Sequence, residues 1–138
     1  MRNARTVLFG MASFLAVLTA AGAADAAWIQ VPSVGPPVYL DTVTGLQWTV
    51  TLGRVPSSDW GNQARAHVQQ LGFRLPTFNE LQVMYNFNGG GGYLQIRAGL
   101  LDYYETADPN VLGNAFGNGF QTPLPRQGIG YNWYLGVK

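Results

Sequence analysis

The chain lacks cysteine altogether and has a single histidine among its 138 residues. Without cysteine it can form no disulfide, no thiol nucleophile, no cysteine-ligated zinc site and no iron–sulfur cluster. His67 is the only imidazole that a serine-type triad could use, and a lone histidine on a helix flank is usually a surface or hydrogen-bonded residue. The nearest serines, Ser57 and Ser58, are better explained as helix caps. We therefore predict a protein without catalytic residues.

Charged side chains are also scarce, with eight basic and seven acidic residues. Beyond position 5 the basic residues stand singly, at 54, 65, 74, 97, 126 and 138, and form no stripe. Binding to a phosphate backbone needs clustered cations, so we predict no nucleic-acid partner.

Long apolar runs are missing except near the start of the chain, at residues 7–21. That run is too short to span a bilayer comfortably, since about 20 apolar residues are needed. Arg2 and Arg5 precede it, and Ala24-Asp25-Ala26 fits the small-x-small rule for signal cleavage. Residues 1–26 are therefore predicted to be a cleaved signal peptide. The mature protein would be periplasmic or extracellular, with no stable membrane insertion.

Cleavage after Ala26 would leave residues 27–138, predicted to be one domain large enough to bury a core without metals or disulfides. Loss of Arg2, Arg5 and Asp25 lowers the eight basic residues to six and the seven acidic residues to six. The mature chain then has no net charge, which gives no long-range steering toward anionic polymers.

The most informative stretch is Gly72-Phe73-Arg74-Leu75-Pro76-Thr77-Phe78-Asn79-Glu80-Leu81. Pro76 has no backbone N–H and keeps the residue before it out of helical geometry, so the chain arrives extended. Thr77 and Glu80 have the spacing of a capping box, which predicts a helix from 78 to about 87. Arg74 stands between apolar neighbours. We predict that it is structural, at least partly buried and paired with a carboxylate, Asp41 being the first candidate.

Strands are predicted before this stretch, at residues 38–40 and 46–50. The turn between them uses Asp41 as a side-chain cap and Gly45 for a positive φ. Trp48 would point into the core, with an indole N–H that needs a partner.

Another helix, the first in the chain, is predicted from an apolar stripe that starts at Trp60 and continues with Ala64, Val68 and Leu71. Gly72 would end this helix. The glycine-rich residues 86–92 lack the context of a phosphate-binding loop and are interpreted as a flexible connection. Later short strands are predicted at residues 103–106, 115–116, 120 and 131–137. The pattern indicates an α+β fold with an antiparallel sheet.

Two motifs resemble a known family. These are Asp41-x-x-Thr44-Gly45-Leu46-x-Trp48 and, after a helix, Leu71-Gly72-Phe73-Arg74-Leu75-Pro76-Thr77-x-x-Glu80-Leu81. They resemble the Lcl C-terminal family of bacterial exported domains, whose function is unknown and whose fold is similar to the C-type-lectin-like fold of formylglycine-generating sulfatase modifiers. The resemblance spans residues 39–86. It implies a C-type-lectin-like fold, with two helices packed on short antiparallel strands and a loop-rich second half. It also implies an exported, non-enzymatic binding or adhesion module.

The ligand surface is predicted in the second half, between residues 86 and 126, because binding residues usually lie on loops held by a rigid scaffold. The candidate ligand-binding residues are Tyr103, Tyr104, Asp108 and Asn110, and the partner would be a glycan or a cell-surface protein. Asp108-Pro109-Asn110 is weakly similar to the Glu-Pro-Asn tripeptide of calcium-dependent lectins, but a plain Asp-Pro-Asn turn is the favoured interpretation.

Alternatives remain open at this point. No metal or cofactor is predicted, but calcium could bind if Asp102, Glu105, Asp108 and Asn110 converge. The protein could instead be a structural, self-assembling subunit of a cell-surface assembly. Acid–base catalysis by the same carboxylates, as in a glycosidase, is the third alternative.

Overall fold

The computed structural model describes residues 27–115, 119–120, 123–126 and 130–138. The predicted signal peptide, residues 1–26, and the predicted strand residue Phe116 lie outside these ranges.

The described chain contains eight strands and two α-helices. The strands are β1 (Trp28–Val31), β2 (Val38–Asp41), β3 (Gln47–Thr49), β4 (Gly53–Pro56), β5 (Tyr103–Glu105), β6 (Val111–Asn114), β7 (Leu124–Pro125) and β8 (Tyr131–Tyr134). The helices are α1 (Asn62–Gln70), after a 3₁₀ turn (Ser57–Asp59), and α2 (Phe78–Gln82), which continues as a π turn (Val83–Phe87).

The strands form two sheets, with the orders β1-β2-β3 and β4-β8-β5-β6-β7. The α+β prediction is therefore confirmed. The prediction of a purely antiparallel sheet is wrong for one pair, because β5 and β8 run parallel, with Tyr104 opposite Trp133. The final residues join the two halves of the chain, since Val137 bridges to both Trp48 and Arg74.

The core consists of two hydrophobic clusters. One gathers around α2 and the middle of the larger sheet; its largest members are Trp48, Tyr104, Phe120, Leu81, Met84, Leu94 and Leu135. The other lies beneath α1 and contains Val38, Val55, Ala64, Val68, Phe73, Leu75 and Tyr134. Trp48 is buried as predicted, but its indole N–H has no acceptor among the described residues.

The predicted start of the first helix is wrong. Trp60 has a left-handed backbone (φ 61°), as does Gly61 (φ 77°), so α1 begins at Asn62 and Trp60 is half exposed. Gly61 is the N-cap residue. The Asp59 carboxylate, in the preceding 3₁₀ turn, accepts hydrogen bonds from the backbone N–H groups of Gly61 (3.0 Å) and Gln63 (3.1 Å). Apolar spacing cannot reveal this break, because Trp60 has the right residue type at the right interval.

The capping box before α2 is confirmed. The backbone N–H of Glu80 donates to the Thr77 hydroxyl (3.1 Å), and the Glu80 carboxylate accepts from the Thr77 N–H (2.9 Å). The helical segment ends at Phe87, as predicted, although its last turn widens to a π turn.

The predicted pairing of Arg74 with Asp41 is wrong. Arg74 forms a two-pronged ion pair with Glu80 (2.8 and 2.7 Å), and its side chain is 49% exposed. This hydrogen bond lowers the pKa of the Glu80 carboxyl and raises that of Arg74. Asp41 instead accepts from the Val43 N–H (2.9 Å) and from the side-chain amide of Asn88 (2.7 Å). It therefore caps its turn, as predicted, and Gly45 has the expected positive φ.

The glycine-rich segment is packed against aromatic rings, which corrects its interpretation as a flexible connection. Gly90 is buried, and a Cβ there would lie 2.5 Å from the Trp28 indole. A Cβ on Gly91 would lie equally close to the Tyr85 ring. The glycines are needed because backbone and rings approach closely, not because the segment must move.

Candidate binding surface

The structure separates the four predicted ligand-binding residues. Tyr104 is fully buried, so its prediction as a binding residue is wrong. Tyr103, its neighbour on β5, is partly exposed and lies opposite Asn114 of β6. Alternating side chains of a strand point to opposite faces, and the sequence alone did not reveal which tyrosine faces inward.

Asp108 and Asn110 are exposed and form the plain turn that the sequence analysis favoured. The Asp108 carboxylate accepts a hydrogen bond from the Asn110 N–H (3.0 Å), which makes an Asx turn between β5 and β6. Thr106 closes the same turn by donating to the carbonyl of Val111 (2.8 Å).

The set of oxygens considered for calcium does not converge. Glu105 is buried and ion-paired with Arg126, whose other donors bond to Ser57 and to the carbonyl of Pro109. The same carboxylate accepts from the side-chain amide of Asn132 (2.8 Å). Within the described ranges, no three His, Asp or Glu side chains form a group that could hold a metal ion.

His67 has a structural partner, as its position on a helix flank suggested. Its Nδ1 lies 2.6 Å from the hydroxyl of Tyr134, and the two rings meet edge to face. Burial raises the pKa of the Tyr134 phenol.

One face of β8 is fully buried, whereas the other carries two aromatic residues that are exposed or partly exposed, of which Trp133 also packs against the core. Asn132 and Tyr134 are buried, whereas Tyr131 is exposed and Trp133 is partly exposed. Arg54, an exposed residue of the edge strand β4, lies directly opposite Trp133. The strand register therefore places an exposed cation beside the indole.

A second arginine reaches the same indole from the loop before β5. The guanidinium carbon of Arg97 lies 4.7 Å from the centroid of the Trp133 ring, and that of Arg54 lies 5.1 Å from it. Arg54 also lies 5.6 Å from the centroid of Tyr131. We call Arg54, Arg97, Tyr131 and Trp133 the arginine–aromatic surface. Each cation–π contact contributes about 0.5–1 kcal/mol at an exposed site.

Hydrogen bonds hold the indole of Trp133 and the backbone of Arg97 in place. The Trp133 indole N–H donates to Asp102 (2.9 Å), whose other oxygen accepts from the Gly99 N–H (3.1 Å). The backbone N–H of Arg97 donates to the Tyr104 hydroxyl (2.9 Å), which lies 2.8 Å from the hydroxyl of Thr51. Burial raises the pKa of the Tyr104 phenol, which stays protonated at neutral pH.

The two arginines of this surface lack the carboxylate partners that Arg74 and Arg126 have. Arg74 and Arg126 are ion-paired with Glu80 and Glu105. Neither Arg54 nor Arg97 has an ion pair or a side-chain hydrogen bond within the part of the chain that the structure describes. Sequence reasoning missed this surface, because the alternation in residues 131–134 predicted only a strand.

A separate aromatic group lies on the smaller sheet. The rings of Trp28 and Tyr93 stack with centroids 5.9 Å apart, and Tyr39 lies 5.7 Å from Tyr93. Tyr93 is half exposed. We call these three residues the neutral aromatic group, because no charged side chain stacks on them in the described structure.

Comparisons with family models, with curated proteins and with solved structures found no match for this chain. Within the described residues, no helix has the length and apolar character needed to cross a membrane. The site must therefore be interpreted from its own geometry.

Proposed function

We propose that this chain is an exported, non-enzymatic binding or adhesion module with a C-type-lectin-like fold, and that its partner is a glycan or a cell-surface protein. The observation that carries the proposal is the pair of uncompensated guanidinium groups on one exposed indole. Arginine and tryptophan are enriched among residues that dominate binding energy. Here Arg54 and Trp133 lie on paired strands, and the backbone of Arg97 is hydrogen-bonded to Tyr104 of β5.

The absence of catalysis is supported by how the carboxylates are used. All six acidic residues after position 26 accept hydrogen bonds from groups of the protein itself; they are Asp41, Asp59, Glu80, Asp102, Glu105 and Asp108. A general acid–base pair needs carboxyl groups that face a shared substrate. Here they cap turns and helices or pair with arginine, which favours structural roles.

The fold proposal is supported by the way the two ends of the described chain meet. The Gln47 N–H donates to the carbonyl of Lys138 (2.8 Å), and the Lys138 N–H donates back to Gln47 (2.9 Å). The two helices thus lie between strands contributed by both ends of the chain, as in the predicted architecture.

Export can be tested by mass spectrometry of the protein recovered outside the cytoplasm. We expect an amino terminus at Ala27, whose backbone nitrogen lies 3.0 Å from the Thr42 hydroxyl. An intact Met1 would contradict cleavage and with it the proposed location.

Binding can be tested by incubating the exported protein on a glycan array and with intact bacterial surface proteins, with calcium and with a chelator. We expect saturable binding without turnover of the ligand. Hydrolysis that Glu105→Gln abolishes in a folded protein would make the protein an enzyme instead.

A second candidate function is a structural subunit of a cell-surface assembly. The observation that favours it is β1, an edge strand of the smaller sheet with a partner on one side only in the described chain. Open edges allow pairing with another copy. The strand register directs the backbone N–H of Gln30 to the open side of β1 and that of Ile29 to β2. Sedimentation that depends on protein concentration, reduced by Gln30→Pro, would support this alternative.

A further inference from the structure

We infer that the arginine–aromatic surface binds a protein segment that carries acidic side chains beside apolar ones. This inference rests on the proposed binding function and chooses between its two partner classes. It follows from the charge, spacing and neighbours of four side chains.

The charge of the surface calls for an anionic partner. A guanidinium has five N–H donors, and stacking on a ring leaves its edge free to donate. The guanidinium donors of Arg54 and Arg97 have no acceptors among the described residues, and both residues are exposed. The nearby Asp102 uses both its oxygens to accept hydrogen bonds from Trp133 and Gly99. A carboxylate from a partner could form the two-pronged bond that Arg74 already makes with Glu80.

The spacing of the cations fits carboxylates on one short segment. The guanidinium carbons of Arg54 and Arg97 lie 5.1 and 4.7 Å from the centroid of the same ring. The distance between the two carbons therefore cannot exceed the sum of these two distances. Side chains two positions apart on an extended chain are separated by roughly 7 Å. An Asp or Glu at positions i and i+2 could therefore reach both guanidinium groups.

The neighbours of the surface favour a protein over a sugar. A sugar stacks on an open aromatic face, but both arginines already lie over the Trp133 ring. Leu100 and Leu101 are 64% and 75% exposed, immediately before the Asp102 that holds Trp133. Arginine, tyrosine and tryptophan are enriched at protein interfaces. The two exposed leucines add apolar area next to them, which favours a partner with apolar side chains.

The experiment is a selection of peptides from a random dodecapeptide library displayed on phage, with the exported protein as bait. We expect enrichment of peptides with two acidic residues, two positions apart, flanked by apolar residues. The dissociation constant of a selected synthetic peptide is then measured, together with that of its Glu→Gln and Asp→Gln analogue. The analogue should bind at least about tenfold more weakly, and added salt should weaken the parent peptide.

Three variants locate the site on the protein. Arg54→Gln and Arg97→Gln should each weaken the selected peptide by about tenfold or more. Lys138→Gln is the matched control, because it also removes one positive charge that lies over a ring, that of Phe73, away from this surface. It should leave the affinity unchanged. Thermal unfolding of each variant shows that the protein is still folded.

Several outcomes would overturn the inference. These are a selection without acidic enrichment, affinities unaffected by Arg54→Gln and Arg97→Gln, and equal loss in Lys138→Gln. Binding of a neutral glycan that Tyr93→Ala abolishes, with no peptide selected, would also overturn it. That result would move the site to the neutral aromatic group and leave the proposed binding function standing. Binding of a sulfated polysaccharide alone would show that the partner is not a protein.

Discussion

The two faces of the larger sheet use arginine in opposite ways. On the face toward α1, Arg126 is buried with a side chain 4% exposed and is neutralised by Glu105, with Asn132 and Ser57 completing the network. On the other face, Arg54 is exposed, stacks on Trp133 and meets no carboxylate. A buried arginine requires a counter-charge for the fold to be stable, whereas an exposed one does not. This second face is buried at Tyr104 and exposed at its edge, where Arg54 keeps its charge available for a partner.

The largest loss of stability is expected when the buried ion pair of Arg126 with Glu105 is broken. Glu105→Ala would leave the guanidinium of Arg126 buried without its counter-charge, which costs about 3–5 kcal/mol of unfolding free energy. Equilibrium unfolding in urea measures this loss. A midpoint equal to that of the unchanged protein would mean that the two faces do not differ as described.

Gly61→Ala tests how tightly the buried network is enclosed. Gly61 has a φ of 77°, and a Cβ there would lie 2.8 Å from Glu105 Oε1. Gly72→Ala is the matched control, since its φ is 83° but a Cβ would meet nothing within 4 Å. We expect backbone strain of about 1–2 kcal/mol in the control and a clearly larger loss for Gly61→Ala. Equal losses would show that the network does not press on Gly61.

The ion pair of Arg74 with Glu80 is intermediate in exposure between the buried Arg126 pair and the unpaired, exposed Arg54. Thr77→Ala and Glu80→Ala should each lower the unfolding free energy by about 1 kcal/mol through loss of the capping box. Unfolding in urea at neutral pH measures this, with Ser58→Ala as the control, because it removes an exposed hydroxyl that makes no hydrogen bond within the described residues.

The Glu80 carboxylate should also make the stability of the fold depend on pH, in a direction that follows from its lowered pKa. The hydrogen bond from Arg74 lowers the pKa of Glu80 in the folded protein. Its stabilisation is therefore complete above the unfolded pKa of about 4.3 and is lost as pH falls through the folded value. Between neutral pH and pH 3, Glu80→Gln should consequently lose less stability than the unchanged protein.

The smallest effect on stability is expected at the exposed edge of the sheet, where Arg54 and Arg97 lie. Arg54→Gln and Arg97→Gln remove only a cation–π contact at the surface, so each should cost at most about 1 kcal/mol. Calorimetric or optical melting gives the comparison with Glu105→Ala. A loss as large as that of Glu105→Ala would mean that these arginines serve the fold rather than a partner.

Short-range features were predictable from the sequence, because residues a few positions apart decide them. The capping box of Thr77 and Glu80, the turn of Asp41 and Gly45 and the positive φ of Gly72 are confirmed for this reason. Each needs only a side chain that reaches a nearby backbone group or a residue without a Cβ.

Long-range pairing was not predictable. Nothing local indicates that Arg126 pairs with Glu105, or that Arg54 lies opposite Trp133, since both depend on strand register. The error over Tyr104 has the same origin, because the face of a strand is set by the sheets around it. The arginine–aromatic surface could therefore be recognised only once the strands were placed.

The hydrogen-bond chain beneath Arg97 has a consequence for the thermodynamics of association. The hydroxyl of Thr51 donates to the carbonyl of Leu94 (3.1 Å), so the Tyr104 hydroxyl donates to Thr51 and accepts from the Arg97 N–H. The backbone at Arg97 is thus ordered before any partner arrives. Part of the entropy that a loop normally loses on binding has then already been lost during folding. Tyr104, which no ligand can touch, would in this way strengthen binding by preorganising the residue that does.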